Sequence, residues 1–180
     1  MSRKKGQLSE KGVLHNITMK ERRSREHIAH SPTALTGAKI YEEHSLKELR
    51  NAGYRITMPR VQVIRALADT SRALSAYAIH EKIISGGGKI DVVSVYRILS
   101  TLQEVGLIHH IGVVDGYFPC RMADCTGRRS EVMVDEQTGD VMELKLPQVV
   151  ADAIDKQAAD HGFEASTIKV EITGALVGKR

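Results

Sequence analysis

Apolar residues recur at helical spacing in four successive windows between Ser45 and Gly106, and the pattern then changes to the short runs of strands. Ser45 precedes Leu46, Leu49 and Ala52 with Glu48 three positions on, the S-x-x-E signature of a helix start, and Gly53 closes that short first helix. Thr57 is placed to cap a second helix, Pro59 sits where a missing N–H is harmless, and Val61, Ile64, Leu67 and Ala68 form its stripe. A third helix starts at Ser75 and stops at Gly86, Gly87 and Gly88. The fourth, from Asp91 to Gly106, carries Val92, Val95, Leu99, Leu102 and Val105 on one face and leaves Tyr96, Arg97 and Ser100 pointing elsewhere. A solvated amphipathic helix would show the same split, so this window gains meaning only from the elements next to it in the chain.

After Gly106 comes LIHHIGVVDGYFPC, two β-rich runs with a hairpin signal at Asp115-Gly116. Helices succeeded by a two-stranded hairpin predict a winged helix, in which the last helix before the wing enters the major groove. From Ser130 the chain reads strand, Thr138-Gly139 turn, strand, a helix from Pro147 to His161, Gly162 and a final strand. Exposed strand edges there favour pairing with a second copy. The expected class is α+β: a basic N-terminal arm over 1–44, a winged-helix DNA-binding domain over 45–122 and a small α/β dimerisation domain over 123–180. In the arm, helical spacing is confined to a turn pair around Thr18 to His30.

Charge sharpens this picture. Eight lysines and arginines stand against two glutamates between Met1 and Arg25, while the whole chain of 180 residues carries a net +4, so the excess sits at the front. Such an arm suits sequence-independent contact with phosphates, although a solubilising tail has the same composition. No apolar run approaches the roughly 20 residues of a membrane span, and the charged N-terminus lacks a signal-peptide core, which predicts a cytoplasmic protein. Two cysteines, Cys120 and Cys125, make no disulfide framework; they suit thiols, metal ligands or a redox pair. The glycine triplet before Lys89 lacks phosphate-loop spacing. With no nucleophile and base pair and no cofactor fingerprint, an enzyme is not expected.

Several local motifs resemble the ferric uptake regulator family, and within it the zinc uptake regulators: Gly53-Tyr54-Arg55-Ile56-Thr57 with Pro59-Arg60, Leu74-Ser75-Ala76-Tyr77, Ser94-Val95-Tyr96-Arg97 and Gly106-Leu107-Ile108-His109. The resemblance runs from about Ser45 to Leu176. It implies a repressor that binds double-stranded DNA; as a homodimer paired through its strand edges, it would read a palindromic operator, expected to be AT-rich. Tyr96 and Arg97 would meet bases and phosphates, Ser94 would open the recognition helix, and Arg55 and Arg60 would hold the backbone. It also implies a regulatory zinc site at His109, Cys120 and Glu143. The family's fourth ligand position falls on Arg128, which cannot ligate because it offers only donors; Cys125 would complete the set with chemistry that zinc accepts. His110 is adjacent to His109, and alternation along a strand lets only one of them face the site. The family's structural zinc is not expected, because its cysteine positions hold Asp135, Thr138, Leu176 and Lys179. Two other readings stay open: a regulator of the same fold that is metal-independent or responds to thiol oxidation, and a winged-helix protein-docking module.

Overall fold

A computed structural model describes residues 32–122 and 129–177, with side chains from residue 37. The basic arm before Pro32, the segment holding Cys125 and Arg128, and Lys179 lie outside the described residues. The first helix, α1, spans Pro32–Asn51 and so begins thirteen positions before the expected cap at Ser45. The S-x-x-E match at Ser45 is a coincidence: Ala38, Tyr41, Ser45 and Leu49 lie at spacings of three and four, and the last three are buried. Ser45 is therefore a core position in mid-helix. The other end of α1 is as expected. Gly53 takes φ 82°, and Gly53 N–H to Arg50 O and Tyr54 N–H to Leu49 O close the helix in a paired 5→2 and 6→1 cap.

Helix α2 (Met58–Ala68) has Thr57 at its N-cap, but the threonine hydroxyl makes no capping bond. Helix α3 (Ala76–Ser85) is capped by Ser75, whose hydroxyl accepts from Ala78 N–H. Helix α4 (Val92–Glu104) is capped by Asp91, which accepts from Ser94 N–H, and it buries Val95, Ile98, Leu99 and Leu102. These four helices enclose one core, and Tyr41 Oη donates to Leu107 O at 3.0 Å, fastening α1 to the start of the wing. The hairpin comes next as β1 (Ile108–Ile111) and β2 (Gly116–Pro119), antiparallel with His109 opposite Phe118. A single 3-10 turn, Gly112–Val114, leads into Asp115, whose φ of 44° makes the left-handed turn that the Asp-Gly pair announces.

The second half is a three-stranded sheet ordered β4-β3-β5, with β3 Arg129–Asp135, β4 Val141–Glu143 and β5 Ile168–Gly174, and with α5 (Gln148–Asp160) between β4 and β5. Strand β4 pairs antiparallel with β3, and β5 pairs parallel with it from Arg129↔Ile168 to Asp135↔Gly174. β4 is shorter than its sequence pattern, because Leu146 N–H turns to the Glu131 carboxylate at 2.7 Å rather than extending the ladder. A second core joins the wing to this sheet: Ile111 and Phe118 from the hairpin pack with Val132, Val134 and Val141. Burial of this kind stabilises by about 25 cal/mol per Å² of apolar surface, so the hairpin is an integral part of the sheet's core.

Candidate metal centre and nucleic-acid interface

His109 on β1, Cys120 just after β2 and Glu143 at the end of β4 converge where the wing meets the sheet, with their ligand atoms all within 4.8 Å of one another. His109 is 6% exposed and Cys120 2%. The second core brings them there, because the packing of Ile111 and Phe118 on the sheet fixes the register that turns His109 inward. His109 Nε2 lies 3.0 Å from Glu143 Oε1, and its Nδ1 lies 2.8 Å from Ser130 Oγ. Ser130 is the kind of outer partner that orients an imidazole ligand and fixes its tautomer. Glu143 also accepts from Arg121 N–H, at 3.0 Å to each carboxylate oxygen. Arg121 in turn donates through Nη2 to Thr70 O at 2.7 Å and lies over the Phe118 ring at 5.1 Å.

The donor set fits a divalent soft-to-borderline cation. A tetrahedral zinc with bonds of about 2.0–2.3 Å holds its ligand atoms about 3.3–3.8 Å apart, so the three donors need only a small inward movement. One nitrogen, one sulfur and one carboxylate are available among the described residues, and Cys125 lies outside them. The Cys120 sulfur must be a reduced thiolate to ligate. His110 points away from the centre, its Nε2 3.1 Å from Asp115 Oδ1 and its ring against Tyr117, which fits the alternation expected along β1.

The residues expected to touch DNA lie on the helical half. Tyr96 and Arg97 are exposed on the side of α4 opposite its buried stripe. Ser94 is half-buried and its hydroxyl donates to Asp91 Oδ2 at 2.6 Å, so its side chain braces the start of α4. The two bonds from Ser94 hold the Asp91 carboxyl below its usual range. Arg55 is exposed; Arg60 Nη1 donates to Arg55 O, and the Arg60 guanidinium stands 5.2 Å over the Tyr54 ring. These contacts fold the Arg60 side chain back from the first turn of α2 towards Tyr54 and Arg55. Ser130, Arg121 and Asp91 escaped the sequence reading. Only Asp91 had a local signal, an acidic residue just before an apolar-periodic helix.

The sequence pattern of the ferric uptake regulator family matches residues 51–173. The chain is 30% identical over 118 residues to the ferric uptake regulation protein of Pseudomonas fluorescens, covering 65% of this chain and 94% of that one. It is also 30% identical over 124 residues to the ferric uptake regulation protein of Brucella abortus biovar 1 (strain 9-941), covering 66% and 86%. A zinc uptake regulator complexed with zinc and DNA shares the fold, with a TM-score of 0.70 at 24% identity over 78% of this chain and 93% of that one. Holo XcZur does so with a TM-score of 0.68 at 20% identity, over 78% and 96%. The winged helix, the α/β sheet joined to it and the match over residues 51–173 lead to one conclusion: the chain belongs to the ferric uptake regulator family of transcriptional regulators.

Proposed function

We propose that this regulator is a homodimeric repressor that reads an AT-rich palindromic duplex through Tyr96 and Arg97, with zinc at His109, Cys120 and Glu143 stabilising the DNA-binding form. The observation that carries the reading is the convergence of these three donors, from β1, the end of β2 and β4, at the junction of wing and sheet. Cys125 is the fourth donor in this proposal. Zinc bound there supplies a divalent charge that both halves of the chain must share. The chain's own part is to hold His109 through Ser130 and Glu143 through the Arg121 amide, so that the donors face one point. No structural zinc enters the proposal, and the dimer rests on packing. Arg55 and Arg60 hold phosphates; the basic arm adds phosphate contacts that are independent of sequence. The proposed site of action is the cytoplasm, with the 1–44 arm, the 45–122 reading head and the 123–180 dimerisation domain as the functional divisions.

The test is fluorescence anisotropy at fixed salt, with metal-stripped, reduced protein, an AT-rich palindrome and a random duplex. Stoichiometric zinc should tighten specific binding by about tenfold or more, and Cys120→Ser should abolish that gain. Specific binding that ignores zinc removes the metal from the proposal; equal binding to both duplexes removes the DNA reading and favours protein docking. A second reading follows from the spacing of the chain's two cysteines, Cys120 and Cys125: oxidation would take the Cys120 sulfur out of the donor set, making the regulator respond to thiol state. Repeating the titration with oxidised protein separates the two, since a thiol-governed regulator changes affinity without any added metal.

A further inference from the structure

The outer face of α4 carries a contact that helical periodicity does not announce. Tyr77, the second residue of α3, and Tyr96 of α4 meet edge to face, with ring centroids 6.4 Å apart and planes at 85°. Both rings are open to solvent, Tyr77 61% and Tyr96 43% exposed. The two helices do not need this pair to stay together, because they already share a core containing Ala76, Ile79 and Ile83 of α3 and Val95, Ile98 and Leu99 of α4. An exposed tyrosine on a helix ordinarily exchanges between rotamers, and ordering one on binding costs free energy. Tyr77 is the ring packed against Tyr96 among the described residues. We propose that Tyr77 is a positioning residue for DNA recognition: its ring holds Tyr96 in a single orientation on the reading face, so that Tyr96 meets a thymine methyl already ordered.

This role for Tyr77 rests on the proposed reading of DNA by Tyr96 and deepens it, and the edge-to-face geometry is the favourable one for two aromatic quadrupoles. A thymine methyl is an apolar mark in the major groove, and a ring held at one angle discriminates it better than a ring free to turn aside. Tyr77 stands in the first turn of the helix before α4, the helix that crosses the DNA backbone in helix-turn-helix docking, so it is placed to buttress the reading residue from the side.

The test begins by selecting a preferred duplex from a random pool with the full chain. Each thymine of that duplex is then replaced by deoxyuridine, which removes only the C5 methyl. For the native chain, one thymine per half-site should matter by about three- to tenfold in Kd, and Tyr96→Ala should bind more weakly and be blind to that methyl. Tyr77→Ala should lose about three- to tenfold in affinity, with its thymine-to-deoxyuridine ratio falling towards one, while Tyr77→Phe keeps both affinity and ratio. A merely structural Tyr77 would change the melting temperature and leave the ratio alone. Retention of the native ratio in Tyr77→Ala overturns the proposal, as does a Tyr77→Phe that falls as far as Tyr77→Ala. If Tyr96→Ala keeps full affinity and methyl sensitivity, Tyr96 is not the reader; the DNA assignment then fails at that residue and the role of Tyr77 falls with it.

Discussion

The imidazole of His109 is gripped from both sides, by a hydroxyl at Nδ1 and a carboxylate at Nε2. A bound metal would take over Nε2 and leave Ser130 holding Nδ1. Ser130→Ala should therefore lower zinc affinity by about 10–100-fold, read by competition with a chromophoric chelator under reducing conditions, and leave the fold intact. Two carboxylates illustrate linkage between charge and stability. Hydrogen bonds from Ser94 lower the Asp91 carboxyl, and Ser71 foremost, with Thr138 and Arg72, lowers Asp140. Each holds fewer protons folded than unfolded, so each stabilises above the unfolded carboxylate range, near pH 4, and that contribution is lost as the pH falls through the lower folded value. The melting temperature should drop from about pH 5 to about pH 3, and Asp140→Asn, which can still accept from Ser71, should flatten that slope. His109, Cys120 and Glu143 were legible as ligand types at familiar positions. Ser130 and Arg121 were not, because their roles depend on how β3 and the end of β2 lie against the other strands, and no local pattern encodes that.

Among the elements, α3, α4 and the hairpin agree with their sequence, since the Ser75 start of α3, the apolar stripe of α4 and the Asp-Gly turn all point the same way. α1 does not: a plausible cap at Ser45 competed with an apolar stripe that continues past it, and burial of Tyr41 and Leu49 around a wholly buried Ser45 decided the outcome. The hairpin is also held where periodicity is silent. Glu171 of β5 accepts from Gly112 N–H at 2.8 Å and Val113 N–H at 3.1 Å, so a carboxylate on the sheet closes the turn of the wing. Bonds from backbone donors to a charged acceptor are among the stronger ones. Glu171→Ala should raise amide hydrogen exchange at Gly112 and Val113 by about tenfold or more and weaken DNA binding of the zinc-free protein more than that of the zinc-loaded protein. Unchanged exchange at those amides would show that the turn holds itself.

At the scale of the whole molecule, the described residues form one core among the helices and the start of the wing and another shared by wing and sheet. This second core is why the expected division into a reading head and a dimerisation domain was legible only as an order of elements: the sequence shows where elements begin, but not that Phe118 and Val132 share one interior. The sheet also leaves an apolar face open, where Met133, Met142, Ile172 and Leu176 line a shallow depression of about 140 Å³. Ile172, 47% exposed on β5, can take a charge without disturbing either core. Ile172→Asp should convert a dimer to monomers in light scattering and reduce affinity for a palindrome by about tenfold or more, with half-site binding kept; a dimer that persists places the interface elsewhere. On strand β5 the residue that closes the wing's turn, Glu171, adjoins the exposed Ile172. If Ile172 meets a second copy, mutation along this one strand can reach both the closing of the wing and the pairing of copies, and the two become neighbours in sequence as well as in space.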